Sequence, residues 1–200
     1  MDINWYKIFD QFAQQKVLVI GDAMIDSYMW GDIYRESPEA NVPVVNIERY
    51  EKRLGGAANV AKNIANLGAT PVLCSVIGND NQDFFELMNK QGLNTEGMLK
   101  ENRKTTIKTR IISNNKHQLR VDEEDTFPIQ SEDTFIENTV SLMSDASIII
   151  FQDYNKGILT PTVIKKLISA AKIKNIPIAV DPKKDNFWAY QGVDLFKPNL

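Results

Sequence analysis

The sequence contains one cysteine, one histidine and no long apolar run, and each scarcity closes off a class of protein. Cys74 cannot form an internal disulfide, and its place in the apolar run PVLCSVI reads as a small buried residue rather than a reactive thiol. His117 falls beside a hairpin turn expected at Asn114-Asn115, where it faces solvent rather than performing acid–base chemistry. The N-terminal stretch MDINWYKIFDQFAQQK carries charge in every turn, so it is neither a signal peptide nor a membrane span and reads as a capping helix. A reducing cytoplasm and no membrane partner are the expectation. With 23 Lys and Arg against 26 Asp and Glu, the net charge of -3 offers no basic field for a nucleic-acid backbone. Neither the dinucleotide fingerprint G-x-G-x-x-G nor the P-loop G-x-x-x-x-G-K-[ST] occurs, which leaves a nucleotide-binding oxidoreductase with only a strand–helix rhythm behind it.

What is present is a globular composition: 200 residues, 43% of them hydrophobic, can bury the core of one domain or a large part of one. Short apolar runs at Val17 to Ile20, Val72 to Ile77, Ile148 to Phe151, Ile176 to Val180 and Leu195 to Lys197 read as buried strands. Helical patterns fill the intervals at Ala57 to Leu67, Asp83 to Gln91, Glu132 to Met143 and Pro161 to Lys174, the last with Thr160 as N-cap and Pro161 at its first position. Alternation of this kind predicts an α/β fold, a mostly parallel sheet covered by helices on both faces. Two segments break the rhythm. Ser27 to Tyr50 is extended, and Lys104 to Asp122 alternates in TTIKTRIIS, turns at Asn114-Asn115 and returns as HQLRVD, so together they predict a small projecting sheet.

The stretch RLGGAANVAKNIANLGA places two glycines and two alanines ahead of Asn59 and an amphipathic helix. A glycine pair there can mean no more than a loop that needs positive φ. It can also clear side chains from the orphan N–H groups of a helix start, leaving them free for a ligand. Asn59 on the first turn can donate to and accept from a polyol, while Val60, Ile64 and Leu67 would form the buried stripe behind it.

The spacing Gly55-Gly56-Ala57-Ala58-Asn59-Val60-Ala61, with Gly68 and Gly78 following, resembles the first signature of the ribokinase family of carbohydrate kinases. The segments VLVIGDAMIDSYMWG, RESPEANVPVV, TTIKTRIIS, QDYNKGILT and IAVDPKKDNFWAYQGVDLFKPN are similar to its heptose 7-phosphate kinase branch, so the resemblance covers nearly the whole chain. It implies a ribokinase-like fold with a β-lid formed by residues 27–50 and 104–122, often a homodimer contact as well. It also implies ATP-dependent phosphorylation of the anomeric hydroxyl of D-glycero-D-manno-heptose 7-phosphate, with Mg²⁺, on the route to ADP-heptose and lipopolysaccharide.

By the same resemblance Asp26, taken as the end of the first strand, accepts hydrogen bonds from sugar hydroxyls, with Asp22 a weaker candidate. Gly55, Gly56 and Asn59 form the sugar-contacting turn, and Asp153 is an acidic sugar ligand. Arg110 on the lid and Lys156 are candidates for the substrate's phosphate, with Arg35 a further one, because guanidinium and ammonium groups suit that anion. Asp181, Lys183 and Asn199 belong to the nucleotide and phosphate side. The family's glycine-rich anion hole with its base aspartate does not occur in these residues, and the N-x-x-E motif is cut one residue after Asn199, at Leu200. The resemblance thus puts the catalytic base beyond Leu200. The expectation is an N-terminal portion of the kinase, with no catalytic residue of its own and no turnover alone. The alternatives are a kinase for another sugar or phosphosugar, and a non-catalytic fragment that binds sugar or dimerises.

Overall fold

The computed structural model describes residues 5–198. Six strands form the main sheet: β1 (Lys16–Gly21), β4 (Thr70–Ile77), β5 (Met98–Lys100), β8 (Ile148–Gln152), β9 (Ile178–Asp181) and β10 (Leu195–Phe196). Their order is β10-β9-β8-β1-β4-β5, and every neighbouring pair is parallel. Strand side chains alternate faces, so an all-apolar strand must be covered twice. In β1, Leu18 and Ile20 point into a core with Val72, Cys74, Ile149 and Phe151. That core is closed by α4 (Glu132–Ser141) and α5 (Pro161–Ile173). Val17 and Val19 point the other way, into a core with Leu73, Ile77, Ala58 and Phe84. Here α2 (Ala57–Asn66) and α3 (Gln82–Lys90) form the cover.

The expected strands and helices all form, and the N-cap of α5 is as read: the Thr160 hydroxyl accepts from the Val163 N–H at 3.2 Å with Pro161 behind it. The N-terminal stretch yields α1 (Trp5–Phe12), which buries none of its side chains. The stripe of α2 differs from the expectation. Ala57, Ala58, Ala61 and Ile64 are buried, Val60 is half-buried, and Leu67 is exposed at the C-cap. Small side chains let the helix sit close to the sheet, so the contact face is set by alanine rather than by the larger residues.

A second, four-stranded sheet has the order β3-β2-β6-β7. Its strands are β2 (Ala23–Glu36), β3 (Pro43–Gly56), β6 (Ile107–Ser113) and β7 (Lys116–Glu123). β6 and β7 meet in a two-residue turn, with Asn114 and Asn115 at φ 52° and 58°, the left-handed geometry that a tight hairpin requires. β2 starts four residues before the expected lid boundary and β3 runs on through Gly55 and Gly56. The lid is thereby rooted in the core, where Ala23, Ile25 and Leu54 are buried.

Candidate functional site

The C-terminal ends of β1, β8 and β9 meet the root of the lid, the edge at which open parallel sheets bind ligands. Asp22 sits at their junction and is completely buried. Its N–H donates to Gln152 O at 3.1 Å, and its carbonyl accepts from the Ala57 N–H at 2.9 Å. Its carboxylate Oδ2 accepts from the N–H groups of Tyr154 (2.7 Å) and Lys156 (3.2 Å), and its Oδ1 has no hydrogen-bond partner among the described residues. Burial pushes this carboxyl up to about 6, against the pull of the Tyr154 N–H and with the like charge of Asp153 adding to it. The Ser75 hydroxyl brackets the same corner, donating to Gly21 O at 2.7 Å and accepting from the Ala23 N–H at 3.2 Å.

The glycine turn is shaped first by the protein itself. Gly56 lies at φ 56°, and a Cβ there would overlap the Asp22 carbonyl oxygen; a Cβ on Gly55 would run into the Asp26 carboxylate and Met24. Gly55 and Gly56 continue the β2–β3 ladder opposite Met24 and Ala23. The first N–H of α2 is thus spent on Asp22 rather than left open for a ligand. Asn59, one turn further along, is exposed.

Asp26 is not at the end of the first strand, which stops at Gly21; it is the fourth residue of β2. There it pairs with a residue expected to serve a different part of the substrate, as Arg110 Nη1 donates to Asp26 Oδ1 at 2.6 Å. Both side chains keep a fifth to a quarter of their surface exposed. The Arg110 guanidinium also lies 5.4 Å from the centre of the Tyr28 ring. Tyr28 in turn stacks on Trp30 at 5.4 Å, and Arg49 covers Trp30 at 3.7 Å. The result is a cation–aromatic ladder along one face of the lid.

Asp153 has a framework duty that its sequence position hid. Its carboxylate accepts from the Asn155 N–H (2.8 Å), the Asn186 amide (3.0 Å) and the Tyr190 hydroxyl (2.8 Å), and only 2% of the residue is exposed. Burial and the adjacent carboxylate both push the Tyr190 phenol up, so it stays a donor. Asn186 and Tyr190 lie more than thirty positions away in sequence, and no local pattern announces them. Lys156 is likewise engaged, its ammonium 2.7 Å from Glu124 Oε1. Glu124 also receives Lys108, which a reading of alternate residues in TIKTR could have found beside Arg110.

Asp181 ends β9 and accepts from the Gln152 amide at 3.1 Å, and the Lys183 ammonium lies 5.3 Å from the Tyr154 ring. Asp181 lies one strand further from β1 than Asp153, as the sheet order β9-β8-β1 places it. Arg35 is exposed nine residues up β2 from Asp26, about 30 Å away along an extended strand, and does not join the cluster. Asn199 and Leu200 lie outside the described residues. His117 is exposed on β7, and Cys74 is buried with its thiol pushed by burial up to about 12. No group of three His, Cys, Asp or Glu among the described residues could hold a metal ion, and no helix among them is long and apolar enough to cross a membrane.

Comparison with known proteins bears on the fold and the family. The chain is 45% identical over 184 residues to "Bifunctional protein HldE" of Campylobacter jejuni subsp. doylei, covering 92% of this chain and 39% of that protein. It is 40% identical over 200 residues to the protein of the same name from Pelobacter propionicus, covering 96% and 40%. The chain therefore spans about two fifths of the length of these curated relatives. Among solved structures, phosphofructokinase-2 from Escherichia coli in complex with substrates and products superposes with a TM-score of 0.73 at 18% identity, over 92% of this chain and 60% of that one. A carbohydrate kinase from Agrobacterium tumefaciens gives 0.68 at 18% identity, over 91% and 60%. Both share the parallel sheet and its flanking helices, the ribokinase-like fold. The model of the pfkB family carbohydrate kinases matches residues 14–200, and the chain belongs to that family.

Proposed function

We propose that this chain forms the sugar side of an ATP-dependent kinase acting on D-glycero-D-manno-heptose 7-phosphate at its anomeric hydroxyl. The observation that carries this reading is the Asp26–Arg110 pair, partly exposed on the lid beside the glycine turn and the exposed Asn59. A carboxylate and a guanidinium on the lid, with an exposed amide on the first turn of α2, would frame an opening suited to a ligand with several hydroxyl groups and an anion. Asp26 accepts from sugar hydroxyls, Asn59 donates and accepts, and Arg110 and Lys156 face the substrate's own phosphate. Gly55 and Gly56 hold the floor of the opening by letting the lid root close on Asp22. Asp153 acts beneath that floor, keeping the loop that carries Lys156 in place.

In the reaction the anomeric oxygen forms a bond to the γ-phosphorus as the bond from that phosphorus to the β,γ-bridging oxygen breaks, and ADP departs with the electron pair. The hydroxyl proton passes to a carboxylate that the family resemblance assigns beyond Leu200. Asp181 and Lys183 line the nucleotide side, with Asn199 assigned there by resemblance alone. The described residues do not supply a metal cage, so magnesium would arrive as the nucleotide's counter-ion, and none of the residue roles above depends on it. The fold and family fit an enzyme of the cytoplasm that pairs through its lid, where Tyr50 and Leu119 are exposed.

ADP release by the complete protein from ATP and a panel of sugars tests the assignment. Heptose 7-phosphate is the expected best substrate, and preference for an unphosphorylated sugar would overturn it. The 200 residues alone should bind the phosphosugar and release no ADP; enzyme-like turnover by them would place the base within this chain. Sedimentation of the chain and of a Leu119→Asp variant tests the lid-mediated dimer.

A further inference from the structure

Lys108, Glu124 and Lys156 reach one point from three segments of the chain. Glu124 is the first residue beyond β7, and its two carboxylate oxygens are divided between two ammonium groups: Oε1 accepts from Lys156 at 2.7 Å, Oε2 from Lys108 at 3.0 Å. All three side chains are more than three quarters buried. Lys108 stands in register with Asp26 on the neighbouring strand, two residues before Arg110 and therefore on the same face of the lid. Asp122 holds it there from β7 at 2.9 Å. Lys156 is placed by its own N–H, which donates to Asp22. The Lys108 ammonium thus has a second carboxylate partner, and the backbone that carries Lys156 is anchored independently of Glu124.

The O–C–O edge of a carboxylate, held by two ammonium groups, has nearly the shape of one O–P–O edge of a phosphomonoester. We propose that Lys108 and Lys156 form the subsite for the substrate's own phosphate, and that Glu124 is a built-in surrogate that fills it until that phosphate displaces it. This rests on the reading of the chain as a phosphosugar kinase, which it deepens by adding Lys108 to the cations that meet the phosphate and by naming the occupant. Glu124 can withdraw without breaking a ladder hydrogen bond, because pairing of β7 with β6 ends at Glu123. Burial raises its carboxyl, but the hydrogen bonds from Lys156 and Lys108 outweigh that and hold it ionised below the ordinary value. A dianion can replace it against two cations, whereas a neutral sugar cannot, so the exchange selects for a phosphorylated substrate.

The same contacts could merely clamp the lid to the Lys156 loop, and the sign of one substitution separates the two roles. Neutralising a clamp weakens binding; neutralising a surrogate strengthens it. Calorimetric titration of this chain with inorganic phosphate at fixed ionic strength should show Glu124→Gln, which keeps the side chain's shape, binding about tenfold tighter than the unaltered protein. Glu124→Ala should do the same, and adding Lys108→Ala or Lys156→Ala should abolish the gain in variants whose circular dichroism is unchanged. Equal or weaker phosphate binding by folded Glu124→Gln, or a gain that survives Lys108→Ala, would overturn the assignment. Inorganic phosphate contains no sugar, so this result is independent of the heptose reading. If phosphate responds as expected while heptose 7-phosphate binds no better than phosphate, the subsite stands and the substrate assignment falls.

Discussion

The two sheets of this protein solve stability in opposite ways. In the parallel sheet, β1 is buried on five of its six residues and both faces are closed by apolar side chains. In the lid, β7 is exposed along its whole length, and the working face is held by ion pairs and cation–ring contacts such as Asp26–Arg110, Lys108–Glu124 and Arg49–Trp30. Hydrophobic burial is strong and non-directional, while partly exposed ion pairs are weak and can be exchanged for a ligand's charges. The body is therefore fixed by burial, while the lid face depends on paired charges.

The largest effect should come from the body. Phe151, fully buried between β8 and its helices, should on replacement by alanine lose about 3–5 kcal/mol in urea denaturation. Gly56→Val strikes the joint between the two sheets, where a side chain would meet the Asp22 carbonyl at φ 56°. A loss on the order of 3 kcal/mol is expected from combined strain and overpacking, and in the complete protein a rise in sugar KM well beyond any rise in ATP KM. An equal rise in both would detach the turn from the sugar side.

Asp22 gives the joint a pH signature. Its carboxyl moves from 3.8 to about 6 on folding, so the contribution of this group is fully present below pH 4 and is lost as pH rises to 6. At ~1.36 kcal/mol per unit the loss is about 3 kcal/mol, and because Asp22→Asn has no carboxyl to titrate, the difference between the stability curve of the unaltered protein and that of the variant should carry that slope. A difference curve that is flat over pH 4–6 would show that Asp22 remains ionised when folded. On the lid face, Arg110→Ala should weaken phosphosugar binding about tenfold while changing the unfolding midpoint little. At the far end of the scale, Leu119→Ala on β7 should change stability by less than about 0.5 kcal/mol, which denaturation of the isolated chain would show.

The α/β alternation was legible because each body strand is an unbroken apolar run, and burial on both faces leaves it few other uses. The β6–β7 hairpin was legible for the same local reason, with Asn-Asn suited to left-handed backbone. The α2 stripe was misread because leucine and valine carry a stronger local signal than alanine, while close approach to a sheet favours the smaller residue. Asp26 and the glycines were singled out by resemblance, each on its own segment. Their relation was not, since it depends on β2 turning back across β3.

Sequence alone determined which segments must be buried, where helices begin, and which residue types suited to a sugar and an anion lie near chain turns. Those properties depend on local periodicity and side-chain chemistry. Only the tertiary structure decided which charges meet. Arg110 is 84 residues from Asp26, Lys156 is 32 from Glu124, and Asp22 receives the Tyr154 N–H across 132 residues. Electrostatic and hydrogen-bond partners are set by distance in space, which no pattern within one segment encodes. That is why the sequence could single out Asp22, Asp26, Arg110 and Lys156 one by one, yet their contacts with one another, and with Lys108 and Glu124, form only when the two sheets come together.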